Sequence, residues 1–173
     1  MFTNKPNKCY QTEEGPLWHS RSVAVVGIVF AKMDSELYVL LTQRSEIMED
    51  MPGRWCAPCG YLDWDEDLEH ATAREICEET SFNIYEQKNI FKFLNFNINS
   101  DYKKNNHQNI SIASAYFMKV ANLPKIRTSP ETSMVEWVPY HYSVLKPKDM
   151  VFGHHLLITN AWYDIENFLL KDE

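Results

Sequence analysis

The segment from Gly60 to Phe82 constrains this chain more than any other. Its second half has the marks of a helix. Asp67 is a residue type that caps helix N-termini, and Leu68, Ala71, Ala73 and Ile76 are apolar positions in a run without Gly or Pro. At about 100° per residue, Leu68, Ala71, Glu75 and Glu79 fall on one stripe, with Glu78 at its edge. A surface helix usually turns its acids to water and its Leu and Ala to the core. Here carboxylates share a sector with apolar side chains. Crowded carboxylates repel, and a partly buried one is costly unless a positive charge sits among them. Hard divalent cations such as Mg²⁺ take oxygen ligands and fill that role. The plainer alternative is a Glu-rich helix whose acidic end is solvated surface.

The surrounding pattern decides between them. Gly60, Glu66 and then Arg74-Glu75-Ile76-Cys77-Glu78-Glu79-Thr80-Ser81-Phe82 resemble the Nudix box of the Nudix hydrolases. That pattern asks for Gly, Glu, Arg-Glu, an aliphatic residue, Glu-Glu, a second Gly and a final apolar residue. The departure is Ser81, which stands where the second Gly is usual. The residue after a last helical turn commonly takes a left-handed conformation. Gly takes it freely, and Ser there costs roughly 1 kcal/mol. The departure loosens the helix end without removing a carboxylate.

The length of 173 residues fits one domain with its own core, and 45% hydrophobic residues support a folded globule. We expect residues 1–20, with Pro6 and Gly15-Pro16, to be an extension or a short hairpin leading in, and 21–173 to be a single domain. The net charge of −7 argues against nucleic acid or an anionic membrane as a bulk partner. No apolar run approaches the length of a membrane span, and the first residues lack a signal-peptide core, so the expected compartment is the cytoplasm. Cys56 and Cys59 form a Cys-x-x-Cys, which is a redox motif, half of a zinc site, or a pair of incidental thiols. Cys59 also stands where the run into the Nudix box usually has the first glycine of Pro-Gly-Gly.

Along the chain, Ser22 to Phe30 is a short Val-rich run that predicts a buried strand. Asp34-Ser35 is a turn, and Leu37 to Thr42 predicts an antiparallel partner. Residues 45–53 read as a loop into Trp55. Ile90 to Ile98 and Ile110 to Val120 predict strands, separated by a polar loop, 101–109, that holds Lys103-Lys104. Asn122 to Thr132 reads as irregular, Met134 to Val138 as a short strand and His155 to Leu169 as an amphipathic helix. The pair His154-His155 reads as a cap or surface feature at the start of that helix.

The resemblance implies an α/β/α sandwich around a mixed β-sheet, over about residues 20–170, and hydrolysis of a nucleoside diphosphate linked to another moiety. It implies Mg²⁺, with Mn²⁺ as a substitute, held by Glu75, Glu79, the Gly60 carbonyl, and Glu78 directly or through water. Arg74 would orient the acids by pairing with Glu66. The general base is either a Glu of the box or an acid on a later loop, with Glu131 the candidate and Glu136 its competitor. Arg44 and Arg21 are candidates for phosphate contact or ordinary surface charges. Tyr61 and Trp64 are candidates to stack on a base, whereas Trp55 divides between stacking and core packing. Dimers are common in the family, so a homodimer is among the implied states. A nucleotide-binding sensor without catalysis and an RNA 5′-pyrophosphohydrolase are the alternative functions.

Overall fold

The computed structural model describes residues 8–19, 22–48, 50–99, 110–141, 149–151 and 153–171, without the side chains of 18–19 and 94–99. Arg21 and the 101–109 loop with its two lysines lie outside the described residues. The N-terminal hairpin joins β1 (Lys8–Thr12) to β2 (Gly15–His19) and forms a sheet of its own. Tyr10 pairs with Leu17 across it, and both side chains are about half exposed.

The main sheet begins with β3 (Val23–Met33) and β4 (Glu36–Arg44), antiparallel through a turn at Asp34-Ser35. Both strands run further than their hydrophobic runs: pairing continues beside the turn to Met33 and Glu36, and β4 extends at its far end to Arg44 through pairing with Trp55–Cys56 and Thr132–Pro139. Two short strands follow, β5 (Trp55–Cys56) and β6 (Cys59–Tyr61), in a run to which the sequence assigned no element. Past Phe30 and Val39 the first two strands part. Into that fork go β5, paired to β4, and β6, paired to β3. Strands of two and three residues carry no periodic signal, so only tertiary pairing defines them.

Helix α1 (Leu68–Thr80) comes next, then a single 3₁₀ turn at Ile84–Glu86. The strands β7 (Ile90–Asn99), β8 (Ile110–Lys119) and β9 (Thr132–Pro139) and the helix α2 (His154–Leu169) complete the fold. The sheet order is β5-β4-β3-β8-β7, with β6 also on β3 and β9 also on β4. The β3–β8 pair is parallel and its neighbours are antiparallel, which makes the sheet mixed, as the sequence implied. Among the described residues no helix is long and apolar enough to cross a membrane.

Alternation along the strands builds two cores. Ile28, Phe30, Val39 and Leu41 face α2 with Leu157, Ile158, Ala161 and Ile165. Val29, Ala31 and Leu40 face α1 with Ala73, Ile76 and Phe82. One glycine sets the second distance. A Cβ on Gly27 would collide with the Ile76 side chain, so α1 lies closer to β3 than any larger residue permits.

Both ends of α1 are closed by identifiable groups. Asp67 Oδ1 accepts from the amides of Glu69 and His70 at 2.9 and 2.8 Å. At the other end Ser81 adopts the left-handed conformation, φ 56°, and its amide donates to the Cys77 carbonyl at 2.8 Å. The Arg127 amide donates to the Thr80 carbonyl at 2.8 Å, which ties the 120–131 segment to the helix end. Replacing Ser81 with Gly removes the left-handed penalty. We expect Ser81→Gly to raise unfolding free energy by about 1 kcal/mol in a denaturant titration. Unchanged or reduced stability would show that Ser81 carries no strain.

Candidate active site

The stripe of acids on α1 is turned inward. Glu75 and Glu79 are 8% and 7% exposed, whereas Glu78 is exposed at the rim. Burial is enough to push the Glu75 carboxyl above the usual carboxylate range, with Arg74 opposing the shift. Glu79 is pushed up further, again chiefly by burial. Its two oxygens are held by neutral donors from two strands. Thr42 Oγ1 on β4 donates to Oε2 at 3.0 Å, and the Cys59 amide on β6 donates to Oε1 at 3.2 Å. Among the described residues no Lys, Arg or His forms an ion pair with Glu79.

Arg74 organises the other carboxylates. Its guanidinium takes both oxygens of Glu66, at 2.6 and 3.0 Å, in the fork geometry that favours Arg over Lys. It also donates to Glu75 Oε1 at 2.6 Å, to Glu78 Oε2 at 3.0 Å and to the Tyr61 carbonyl at 2.9 Å. The pairing holds the Glu66 carboxyl below its ordinary range and the Arg74 guanidinium above its own. The sequence-predicted link between Arg74 and Glu66 is therefore present.

Gly60 lies against the same group. A Cβ there would run into the Glu75 carboxylate, which is buried and pinned by Arg74 and so has little room to retreat. The bare backbone of Gly60 and two inward carboxylates make an oxygen-rich pocket wall of the kind a hard cation uses. Among the described residues no three His, Cys, Asp or Glu side chains are already gathered as a cation cage.

The remaining predicted residues fall around this centre. Glu131 is exposed, and its charge is among those that raise Glu75. Its carbonyl accepts from the Ser45 amide at 2.9 Å, which places its loop at the end of β4. Glu136 is exposed on β9. Arg44 ends β4, and its Nε donates to the Asp50 carbonyl at 2.7 Å. Tyr61 is half exposed and Trp64 is 93% exposed on the loop into α1. Trp55 packs against the α2 core, and its carbonyl accepts from the Val151 amide.

Two features were not foreseen. His154 is neither cap nor surface group: it is 2% exposed, and Nδ1 accepts from the Ala57 amide at 3.1 Å. Thr42 looked like a strand-end residue, yet it bonds the helix carboxylate. A hydroxyl closing a run of Val and Leu was the available signal. Cys56 and Cys59 are free thiols, and Cys56 Sγ lies 3.2 Å from Thr42 Oγ1.

A mixed sheet between two helices, with buried carboxylates on one helix set against a glycine on a strand, defines a Nudix-type scaffold. The family model described as the NUDIX domain matches residues 20–160, and the chain belongs to the Nudix hydrolase family. It is similar to the NUDIX domain of Shewanella oneidensis NrtR, solved as a complex with ADP ribose. That likeness has a TM-score of 0.65 at 25% identity and covers 84% of this chain and 89% of the other. A bifunctional NMN adenylyltransferase/ADP ribose pyrophosphatase from Francisella tularensis, complexed with AMP and a Mn ion, shares the fold. There the TM-score is 0.59 at 21% identity, over 84% of this chain and 42% of the other. A curated relative, the m7GpppN-mRNA hydrolase NUDT17 of Danio rerio, is 34% identical over 59 residues. The match covers 34% of this chain and spans only 20% of that relative's length.

His154 gives a testable pH dependence. Burial lowers its pKa to about 4 from an ordinary value of 6.5. The folded state therefore disfavours the protonated ring. The stability this provides is complete above pH 6.5 and is lost as pH falls toward 4. By linkage the loss is roughly 3 kcal/mol. We expect Asn at position 154, whose amide oxygen can accept from Ala57, to flatten this part of the wild-type stability profile. The check is urea unfolding of both proteins between pH 7 and pH 4, and parallel curves would rule His154 out as the cause.

Proposed function

We propose that this chain is a Mg²⁺-dependent pyrophosphohydrolase, with Mn²⁺ as a substitute, acting on a small nucleoside diphosphate derivative. The observation that carries the reading is the pair of buried carboxylates, Glu75 and Glu79, on one face of α1, with no cation paired to Glu79 among the described residues. Glu75 meets the Arg74 guanidinium, but a second carboxylate buried beside it with neutral donors alone is costly, and a divalent ion removes that cost. Glu75, Glu79 and the Gly60 carbonyl would hold the metal, with Glu78 at the rim contacting it directly or through water.

Held there, a divalent cation would neutralise charge on pyrophosphate oxygens and would lower the pKa of a bound water. The chain's own residues do the rest. Arg74 keeps Glu75 and Glu78 in register and holds Glu66 against the site loop. Glu131, exposed and electrostatically coupled to Glu75, is the candidate to take the proton from the attacking water, with Glu78 the alternative from the helix. Water adds to one phosphorus, the bridging P–O bond breaks, and the leaving phosphate departs with the bridging oxygen. Arg44 offers its charge to a substrate phosphate at the end of β4, and Arg21 is proposed for the same role from sequence alone. Tyr61 and Trp64 present aromatic faces beside the site, suited to a nucleobase.

The ADP ribose carried by the similar Shewanella domain supports a small nucleotide derivative as the substrate class. The partial likeness to an mRNA cap hydrolase favours a second reading, removal of a 5′ cap or pyrophosphate from RNA. The net charge of −7 weighs against it, since the chain as a whole repels a polyanion.

The direct test is a panel of dinucleotides, nucleotide sugars, nucleoside triphosphates and capped RNA, with Mg²⁺ or Mn²⁺, followed for release of mononucleotide or phosphate. Hydrolysis of a small nucleotide derivative that stops on chelation is expected. Ligand binding without any product under those conditions would replace the enzyme by a sensor. Glu79→Gln is expected to abolish turnover while circular dichroism stays native, and wild-type rates in that variant would refute the metal role. Gly60→Ala is expected to lower kcat/KM by at least about tenfold, because its methyl group displaces the Glu75 carboxylate.

A further inference from the structure

The metal-holding role of Glu79 proposed above is the footing here, and the question is what aims that carboxylate. Thr42 is completely buried at the sheet face under α1. Its Oγ1 stands 3.0 Å from Glu79 Oε2 and 3.2 Å from Cys56 Sγ. An ionised carboxylate only accepts, and a hydroxyl has a single proton to give. The Thr42 proton therefore points to the Glu79 carboxylate, while the neighbouring Cys56 thiol reaches the Thr42 carbonyl at 3.7 Å.

The opposite oxygen, Glu79 Oε1, takes the Cys59 amide. The carboxylate is thus held at both ends, by β4 on one side and β6 on the other, which stops rotation about its terminal bond. Each oxygen keeps a lone pair for a further ligand. Only proline removes a backbone amide, and it fixes φ as well, whereas a hydroxyl can be removed alone. Valine offers the same shape as Thr42 without the proton, so it separates packing from hydrogen bonding.

We propose that Thr42 is a positioning residue for the metal centre: its hydroxyl fixes the rotation in which the Glu79 carboxylate receives a divalent cation. Thr42 touches neither metal nor substrate. Its action runs through one oxygen of Glu79, and that makes it separable from a merely structural threonine.

The test is Mn²⁺ binding to the substrate-free protein, read by calorimetry or by the electron paramagnetic resonance signal of free Mn²⁺. Loss of an outer hydrogen bond to a metal ligand typically weakens binding 10–100-fold, so Thr42→Val is expected to bind Mn²⁺ about tenfold or more weakly. Thr42→Ser keeps the hydroxyl and is expected to bind like wild type. In a Glu79→Gln background, Thr42→Val is expected to add nothing, because its route of action is gone. Wild-type affinity in Thr42→Val overturns the proposal, and so does an equal loss in both backgrounds. If the valine variant does not fold by circular dichroism, Thr42→Ala against Thr42→Ser makes the same comparison. Glu79→Gln alone is the separate control: unchanged Mn²⁺ affinity there means that Glu79 is not a ligand, and both the metal reading and this proposal fall together.

Discussion

The closeness of α1 to β3 is the constraint on which the rest depends. Gly27 has no side chain, and the Ile76 side chain fills the space a Cβ would need. A helix seated that low turns Ile76 and Ala73 into the core, and the same face carries Glu75 and Glu79 below the surface. The apolar contacts of α1 thus force its carboxylates inward. Hydrophobic burial and the electrostatic cost of the acids oppose each other along one helical face, and packing prevails because Ile76, Phe82 and Leu40 are all lost from water together.

The polar groups around α1 make that arrangement tolerable. Arg74 spreads one delocalised charge over Glu66, Glu75 and Glu78. Glu79, out of its reach, relies on a hydroxyl and an amide. Those donors come from β4, one arm of the fork in the sheet, and from β6, which enters the fork beside β3. The fork is therefore more than an irregularity of pairing. It opens a gap in the ladder where Cys59 and Gly60 turn backbone toward the helix carboxylates, and where Ala57 turns its amide to His154 on the other side.

Much of this was legible in the sequence, and the reasons differ by element. The α1 stripe was readable because helical periodicity and acid placement are local facts about Leu68, Ala71, Glu75 and Glu79. The left-handed turn at Ser81 followed from the Nudix pattern, and the structure has it at φ 56°. The β3–β4 hairpin was readable from two Val- and Leu-rich runs around a turn. Thr42, His154 and the Cys59 amide were not, since each acts across the fold on a partner distant in sequence: Thr42 on Glu79, His154 on Ala57. Composition marks a buried polar group as expensive but does not name its partner. Strands β5 and β6 were missed for a related reason, being too short to bear any period.

The parallel ladder between β3 and β8 has a kinetic consequence. It aligns Val23 with Ile110 and continues to Lys32 and Lys119, so the centre of the sheet joins segments far apart along the backbone. Helix α1 lies between those segments in sequence, and it rests against β3. Such distant strands meet only after a long loop has closed, which makes assembly slow and places it late. During synthesis the acidic helix therefore emerges well before β8, the strand that completes the sheet beside β3.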